Sequence, residues 1–511
     1  MAKIVFGMVR RLPLPLFFAA LAAGQPGTRC SDMVKYKAEP SFEVTKAEPE
    51  PAATMNGLQL PGFCRVEGIL NKRAGAGGKP YGIRFAIALP DDWNGSFLMQ
   101  GGGGLNGTVQ PPIGIVASGG NPALARGFAV ASTDTGHEGA VFDPSFMADQ
   151  QAALDFAYVA IGRVAETTRR IVDAYYGKPA KYSYYAGCST GGREAMVMTQ
   201  RYPAYFDGVI VGAPAMRTGY SNLADRYVAT MLNQVAPKDT EGKPITARAL
   251  SDGQRKLFID ALLKHCDERD GLRDGMIWNV RGCDFDPATL VCSGEKNDSC
   301  LTPEQVAAIK RGFAGPKNVR GVSVYPGFPY DTGIAASGMI PGLLNPGPSP
   351  VGPPNTATEM DVDAAAAAVE ADQQARLTDS TWLNLSTFSA HGGKALFYHG
   401  VSDPWFSALD TVGYYERMTK ANGGREKVEA WSRLYLAPGM GHCGGGQTAL
   451  DNFDLLTPLV QWVEHGTPPE SVPATGKAFP GRSRPMCSYP KYAHYKGQGD
   501  PEKAENFECR E

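Results

Sequence analysis

The sequence predicts an α/β fold: a mostly parallel sheet covered on both faces by helices and interrupted by one long insertion. Three observations predict it. Short apolar runs ending in glycine or polar residues recur between residues 63 and 211. A long segment with apolar residues at helical spacing lies among them. After a cysteine-rich and Pro/Gly-rich central passage, the same alternation of strand and helix signals returns. Strands buried on both faces read as near-continuous apolar runs, and parallel neighbours need crossovers that helices supply.

The elements follow in chain order. Residues 1–24 read as an export signal, with Lys3, Arg10 and Arg11 before the apolar run Leu12 to Ala23 and the small residues Ala22, Ala23 and Gly24 after it. That run is too short to span a bilayer and is broken by Pro13 and Pro15. No cysteine follows the small residues directly, so a lipoprotein is disfavoured, and the expected location is secreted or periplasmic. Residues 25–62 read as an N-terminal tether, because 31–54 are polar and rich in Ala, Glu and Pro. Residues 63–215 form the first part of the core. Phe63 to Leu70 and Ile83 to Leu89 are strands joined by a Gly/Lys-rich turn. Further strand runs are Phe97 to Gln100, Phe128 to Ser132, Tyr182 to Ala186 and Val209 to Val211, with a helix over Asp149 to Tyr176. Residues 216–389 are the insertion, a lid holding the Pro/Gly-rich passage Pro341 to Pro354 and a helical run Ala364 to Ala368. Residues 390–511 complete the core, with strands Ala395 to Tyr398 and Leu434 to Leu436 and a helix over Leu455 to Glu464. Two independent domains in series is the alternative, but the C-terminal part is too small to make its own sheet.

Composition sets outer bounds. A chain of 511 residues, 43% hydrophobic, can bury a large core. A formal net charge of −2 and the lack of any basic run give no support for nucleic acid or a membrane surface as partner. Ten cysteines, an even number in an exported chain, suggest five bridges. Cys266/Cys283, Cys292/Cys300 and Cys487/Cys509 are natural local pairs, leaving Cys30, Cys64, Cys188 and Cys443. Zinc is disfavoured because no Cys-x-x-Cys occurs.

The strongest chemical signal is Gly187-Cys188-Ser189-Thr190-Gly191. With 61 glycines in the chain a chance match is easy, so context decides. A strand precedes this turn and a helix, Arg193 to Arg201, follows it, an arrangement that exposes a serine hydroxyl above a sheet. A serine nucleophile needs a base, and the base needs a group that fixes its tautomer. His442, in the glycine-rich loop Pro438-Gly439-Met440-Gly441-His442-Cys443 just past a strand, is the best base. His399, His465 and His265 suit structural or surface roles better. Asp403, directly after the strand ending at Tyr398, is the best acid, with Asp410 as fallback. The backbone N–H of Thr190, and that of Gly101 in the run Gly101 to Gly104, are the candidate oxyanion donors. Cys188 precedes the candidate nucleophile and Cys443 follows the candidate base. A bridge between them would draw Ser189 and His442 together; two unrelated thiols, or Cys188 as nucleophile, are the alternatives.

These residues resemble the tannase/feruloyl esterase family, which also includes the mono(2-hydroxyethyl) terephthalate hydrolases. The resemblance rests on Cys188, Ser189, Asp403, His442 and Cys443, on Gly187 to Glu194, Phe206-Asp207-Gly208, Gly212-Ala213-Pro214 and Leu436 to Met440, and on the segment Cys487 to Cys509. It implies an α/β-hydrolase fold with an inserted lid, a Ser189–Asp403–His442 triad and a small aromatic ester as substrate, the ester of a hydroxycinnamic, gallic or terephthalic acid. It also implies a structural calcium ion in the lid, held by Asp267, Asp270, Leu272, Asp274 and Met276. Three carboxylates close together, with Gly271 and Gly275 allowing tight turns, make a hard oxygen cage suited to Ca2+. Trp405 and Phe406, just past Asp403, are candidate walls for an aromatic ring. Between Pro329 and Leu377 the lid is shorter than in many relatives, and no arginine aligns with the one that grips a free carboxylate in the terephthalate monoester hydrolases. The expected function is therefore a serine esterase for hydroxycinnamic or gallic esters. The alternatives are a terephthalate monoester hydrolase, a non-catalytic binding protein on the same fold, and a peptidase.

Overall fold

The computed structural model describes residues 29–55, 57–114, 119–295, 297–347 and 354–511. The expected export segment lies outside them. The main sheet has nine strands: β1 (Phe42–Glu50), β2 (Phe63–Ala74), β3 (Pro80–Pro90), β4 (Ser96–Gln100), β5 (Ala129–Thr133), β6 (Tyr182–Cys188), β7 (Gly208–Gly212), β8 (Lys394–Gly400) and β9 (Ser432–Ala437). Their spatial order is β1-β2-β3-β5-β4-β6-β7-β8-β9. The pairs from β1 to β5 are antiparallel, and every pair from β5 to β9 is parallel.

Successive residues on the central strands feed two separate cores, as the two-residue period of a strand requires. Phe97, Met99, Val209, Val211, Ala395 and Phe397 face one layer, where helices α1 (Ala160–Tyr176) and α2 (Thr190–Arg201) pack. Leu98, Ile210, Leu396 and Tyr398 face the other, with Leu456, Leu459 and Trp462 of the helix Leu456–His465. Both faces are covered, so these strands carry almost no polar side chains.

The tether expected over residues 25–62 is not what forms. Residues Phe42–Glu50 are the edge strand β1, paired along β2, and a short 3₁₀ helix of two turns, Cys30–Lys35, is fastened to β2 by the Cys30–Cys64 bridge. Met33, Phe42 and Val44 are buried, and Phe42 stacks on Phe85 with centroids 5.9 Å apart. The segment looks unstructured in composition because an edge strand buries only one face. Lys46 and Glu48 pair on its exposed side, and Lys72 reaches Glu43.

Between β7 and β8 the chain builds the insertion around its own apolar cluster. Helices α3 (Thr218–Asn233), α4 (Asp252–Cys266) and α5 (Pro303–Phe313) contribute Ala224, Val228, Phe258, Leu262, Ile309 and Phe313. Two of these helices begin in capping boxes, Ser251 with Gln254 and Thr302 with Gln305, which satisfy backbone N–H groups left open at a helix start. The expected number of bridges, five, forms: the three local pairs Cys266–Cys283, Cys292–Cys300 and Cys487–Cys509, with Cys188–Cys443 and Cys30–Cys64.

Candidate active site

Ser189 is the single residue between the end of β6 and the start of α2. Its backbone, at φ 63° and ψ −124°, lies where non-glycine residues rarely go. Three hydrogen bonds hold it there. Its N–H donates to Gly212 O (3.0 Å), and its carbonyl accepts from Arg193 N (2.9 Å) and Ala215 N (3.1 Å). A side chain at Gly192 would run into the Gly212 carbonyl, so this close approach of α2 to β7 demands glycine.

Asp403 and His442 come from the loops after β8 and β9. His442 Nδ1 lies 2.7 Å from Asp403 Oδ2, and both residues are buried. The second oxygen, Oδ1, accepts from the backbone N–H groups of Trp405 (2.9 Å) and Phe406 (3.1 Å). His399 Nε2 approaches Oδ2 at 3.2 Å and the Phe406 carbonyl at 2.9 Å, while its Nδ1 meets Thr411 Oγ1 at 2.8 Å. Burial alone would raise the Asp403 pKa. The His442 charge, with hydrogen bonds from His399 and His442, outweighs it and holds the carboxyl well below the usual range. Asp403 therefore stays ionised wherever an imidazole can act as base. The fallback acid, Asp410, is engaged elsewhere, by Arg217. From the insertion, Asp331 accepts from both Ser402 Oγ (2.6 Å) and Gly439 N (2.6 Å), bracing the two loops against each other.

The Cys188–Cys443 bridge joins the neighbour of Ser189 to the neighbour of His442, with Cα atoms 5.8 Å apart. His442 Nε2, the nitrogen not used by Asp403, lies 3.5 Å from Cys443 Sγ, on the side of the bridge. Cys188 as nucleophile is thereby excluded, since its sulfur is committed.

The glycine run after β4 lies along α2. Gly101 N–H donates to Ala186 O (2.9 Å), closing the β4–β6 ladder, so it is spent within the sheet. Gly102 N–H donates to Glu194, Gly191 N–H donates to Gly102 O (3.0 Å), and Thr190 Oγ1 donates to the Gly104 carbonyl. Among the described residues, the N–H of Gly103 finds no acceptor, and a side chain built there would meet open space. Thr190, as the first residue of α2, has no intrahelical acceptor for its N–H.

Trp405 and Phe406 flank the His442 ring, with centroids at 4.8 and 5.2 Å. A third aromatic residue, Phe142, packs edge-on to Trp405 at 6.4 Å, and the adjacent Val141 and Phe142 are 45% and 36% exposed. Nothing in the sequence marks Phe142, because the loop of residues 134–149 has no motif. The residues around the site that sequence did not single out are thus Phe142, Asp331 and Glu194, while His399 takes the structural role expected of it, beside Asp403.

The same loop carries His137, buried against Phe146 with ring centroids 3.6 Å apart and without a hydrogen-bond partner on either nitrogen. Burial lowers its pKa to about 4, outweighing the Asp143 charge and the Leu105 backbone, which pull it up. The native state binds the neutral ring, so this stability is intact above about pH 6.5 and is lost as pH falls towards 4. About 3 kcal/mol is at stake. Melting curves from pH 7 to 4 should show a smaller loss of Tm for His137→Leu than for the parent; parallel losses would remove His137 from the acid transition.

In the insertion, Asp267, Asp270 and Asp274 lie on one loop, and Asp274 N–H donates to Asp267 at 3.2 Å. Backbone N–H groups orient them: Gly275 on Asp267 (2.9 Å), Trp278 on Asp270 (2.9 Å) and Met276 on Asp274 (3.1 Å). Burial, together with the charges of Asp274 and Asp267, pushes Asp270 up to about 8. Of the three carboxylates only Asp274 pairs with arginine, with Arg484 and, at 3.7 Å, with Arg482. The donor set is all oxygen and lacks countercharge at Asp270, which fits a hard cation. Among the described residues no three His, Cys, Asp or Glu side chains by themselves form a metal-holding group, so the carbonyls of Leu272 and Met276 would have to complete the shell.

Strand order, the strained serine turn and the acid and histidine on the following strand-end loops together define an α/β hydrolase. The family model described as "Tannase and feruloyl esterase" matches residues 64–359 and 354–510. A mono(2-hydroxyethyl) terephthalate hydrolase from Piscinibacter sakaiensis is 36% identical, over 94% of this chain and 90% of its own length. A probable feruloyl esterase from Arthroderma benhamiae is 31% identical, over 83% and 81% respectively. The crystal structure of feruloyl esterase B from Aspergillus oryzae superposes with a TM-score of 0.76 at 24% identity, covering 94% of this chain and 99% of that one. The chain belongs to the tannase and feruloyl esterase family and is a carboxylic ester hydrolase. No helix among the described residues is long and apolar enough to cross a membrane.

Proposed function

We propose that this enzyme is an exported serine esterase that cleaves esters of hydroxycinnamic or gallic acids through an acyl-Ser189 intermediate. The observation that carries the reading is the bridge Cys188–Cys443, which ties the neighbour of Ser189 to the neighbour of a His442 that is bonded to Asp403. His442 Nε2 takes the Ser189 proton as Oγ attacks the ester carbon. Asp403 fixes the tautomer and stabilises the imidazolium. The N–H groups of Thr190 and Gly103 receive the oxyanion, Gly103 replacing Gly101, whose N–H is spent in the sheet. His442 then protonates the departing alcohol, and water repeats the attack on the acyl-enzyme. General-base assistance contributes about 10²–10⁴-fold. Trp405, Phe406 and Phe142 supply apolar faces beside the reacting carbon, suited to a flat aromatic acid.

The 36% identity to a mono(2-hydroxyethyl) terephthalate hydrolase favours a second reading, a terephthalate monoester as substrate. Rates on methyl ferulate, methyl gallate and a terephthalate monoester separate the two, with the first or second expected to be fastest. A serine-directed phosphonate should label Ser189 stoichiometrically and abolish turnover of all three; labelling elsewhere with activity lost would sink the serine mechanism.

Calcium belongs to this proposal as a structural ion held by Asp267, Asp270, Asp274 and the carbonyls of Leu272 and Met276. Bound there, it would supply countercharge to a loop closed by Cys266–Cys283. Chelation should lower Tm by several degrees, reversed by added Ca2+ but not by Na+. An unchanged Tm after chelation would dismiss the ion.

A further inference from the structure

Glu194 lies in the second turn of α2, five residues after Ser189, and is completely buried. No ion pair reaches it among the described residues. The neighbouring guanidinium, Arg193, points away and donates to the carbonyls of Ala157 (2.6 Å) and Phe156 (3.0 Å). The Glu194 carboxylate accepts three neutral donors instead: Gly102 N–H on Oε2 (3.0 Å), Tyr185 OH on Oε2 (2.9 Å) and Asn106 Nδ2 on Oε1 (2.7 Å). A buried carboxylate is costly to keep unless such bonds satisfy it, and a hydrophobic side chain would avoid the cost. What the carboxylate adds here is a tie between two backbone segments.

Those segments are the glycine loop and the nucleophile helix. Gly102 is gripped on both sides, its N–H by Glu194 and its carbonyl by Gly191 N–H at 3.0 Å. Asn106 holds the far end of the loop from a left-handed backbone position, φ 55°. Between these two anchors lies Gly103, whose N–H has no acceptor among the described residues and whose Cα has no neighbour on the side a Cβ would occupy. We infer that Glu194 is a positioning residue for the oxyanion site: its carboxylate fixes the glycine loop at Gly102 and Asn106 and so sets Gly103 N–H against Thr190 N–H. This rests on the serine-esterase reading above.

The test compares a planar with a tetrahedral ligand. In Glu194→Ala, kcat for methyl ferulate should fall about 10²-fold, the cost of losing one oxyanion donor, with KM little changed. Affinity for phenylboronic acid, which becomes tetrahedral on Ser189, should fall in parallel, while affinity for planar ferulate is retained. Glu194→Gln should restore most activity. Its amide oxygen can still accept from Gly102 and Tyr185, and a turned Asn106 amide can offer its Oδ1, an atom otherwise without a partner. Should Glu194→Ala fail to fold, Asn106→Ala reads the same ratio of boronate to ferulate affinity, with a loss of about 10-fold expected. An unchanged ratio in the variant that folds overturns the assignment, as does equal loss of both affinities. An active Ser189→Ala enzyme would instead overturn the serine mechanism, whatever Glu194 does.

Discussion

Replacing Ser189 by alanine is expected to lower kcat by about 10⁶-fold, the scale seen when a triad nucleophile is removed, with the fold unchanged. The side chain makes no hydrogen bond that the fold depends on; the turn is held through the Ser189 backbone, by Gly212, Arg193 and Ala215. Stability should therefore not suffer. The backbone at φ 63° costs about 1–3 kcal/mol for any residue with a Cβ, so alanine inherits the strain and glycine does not. Ser189→Gly, equally inactive, should be more stable than Ser189→Ala by about 1 kcal/mol in denaturant unfolding. The pair of variants separates chemistry from strain. Equal stability would mean the surrounding bonds have removed the penalty, whereas turnover near the parent rate in either would mean another nucleophile.

Much of this site can be read from the chain because its parts sit at the ends of elements that are themselves readable. β6, β8 and β9 are apolar runs that stop abruptly, and Ser189, Asp403 and His442 follow those stops. Cys188 and Cys443 add a second constraint, one directly before Ser189 and the other directly after His442. Other features depend on facts that sequence does not carry. Four consecutive glycines do not say which N–H closes the sheet, and Gly101 rather than Gly103 does so because β4 extends one bond further along β6. His399 is one of several histidines until burial places its ring between Asp403 and Thr411. Phe142 reaches the site from a loop without a motif. β1 was hidden for the opposite reason. Its exposed face is charged, and only the partners Phe85 and Cys64 show that Phe42 and the Cys30 segment belong to the core. Ser251…Gln254 and Thr302…Gln305 did carry a signal, since the spacing of each marks a helix start inside the insertion.

Removing the Cys188–Cys443 bridge should cost both stability and activity, and a second bridge provides the control. The cysteines are 255 residues apart, so in the chain-entropy picture the link restricts the unfolded chain by about 5.5 kcal/mol. Cys292–Cys300, only 8 residues apart in the insertion, is worth about 2.5 kcal/mol by the same relation. The catalytic consequences should differ far more than the stabilities. Cys443 adopts a left-handed backbone, φ 64°, next to His442, and without the bridge its sulfur no longer holds it to Cys188. Asp403 still holds Nδ1, but nothing then fixes how far Nε2 stands from Ser189. A displacement on the order of 1 Å costs about 10² in rate. The double variant Cys188→Ala/Cys443→Ala should therefore lose about 10²-fold in kcat when assayed well below its lowered Tm, while Cys292→Ala/Cys300→Ala keeps the parent kcat. Full activity in the first variant would show that Asp403, Asp331 and the loop backbone place His442 unaided. The bridge would then serve stability alone.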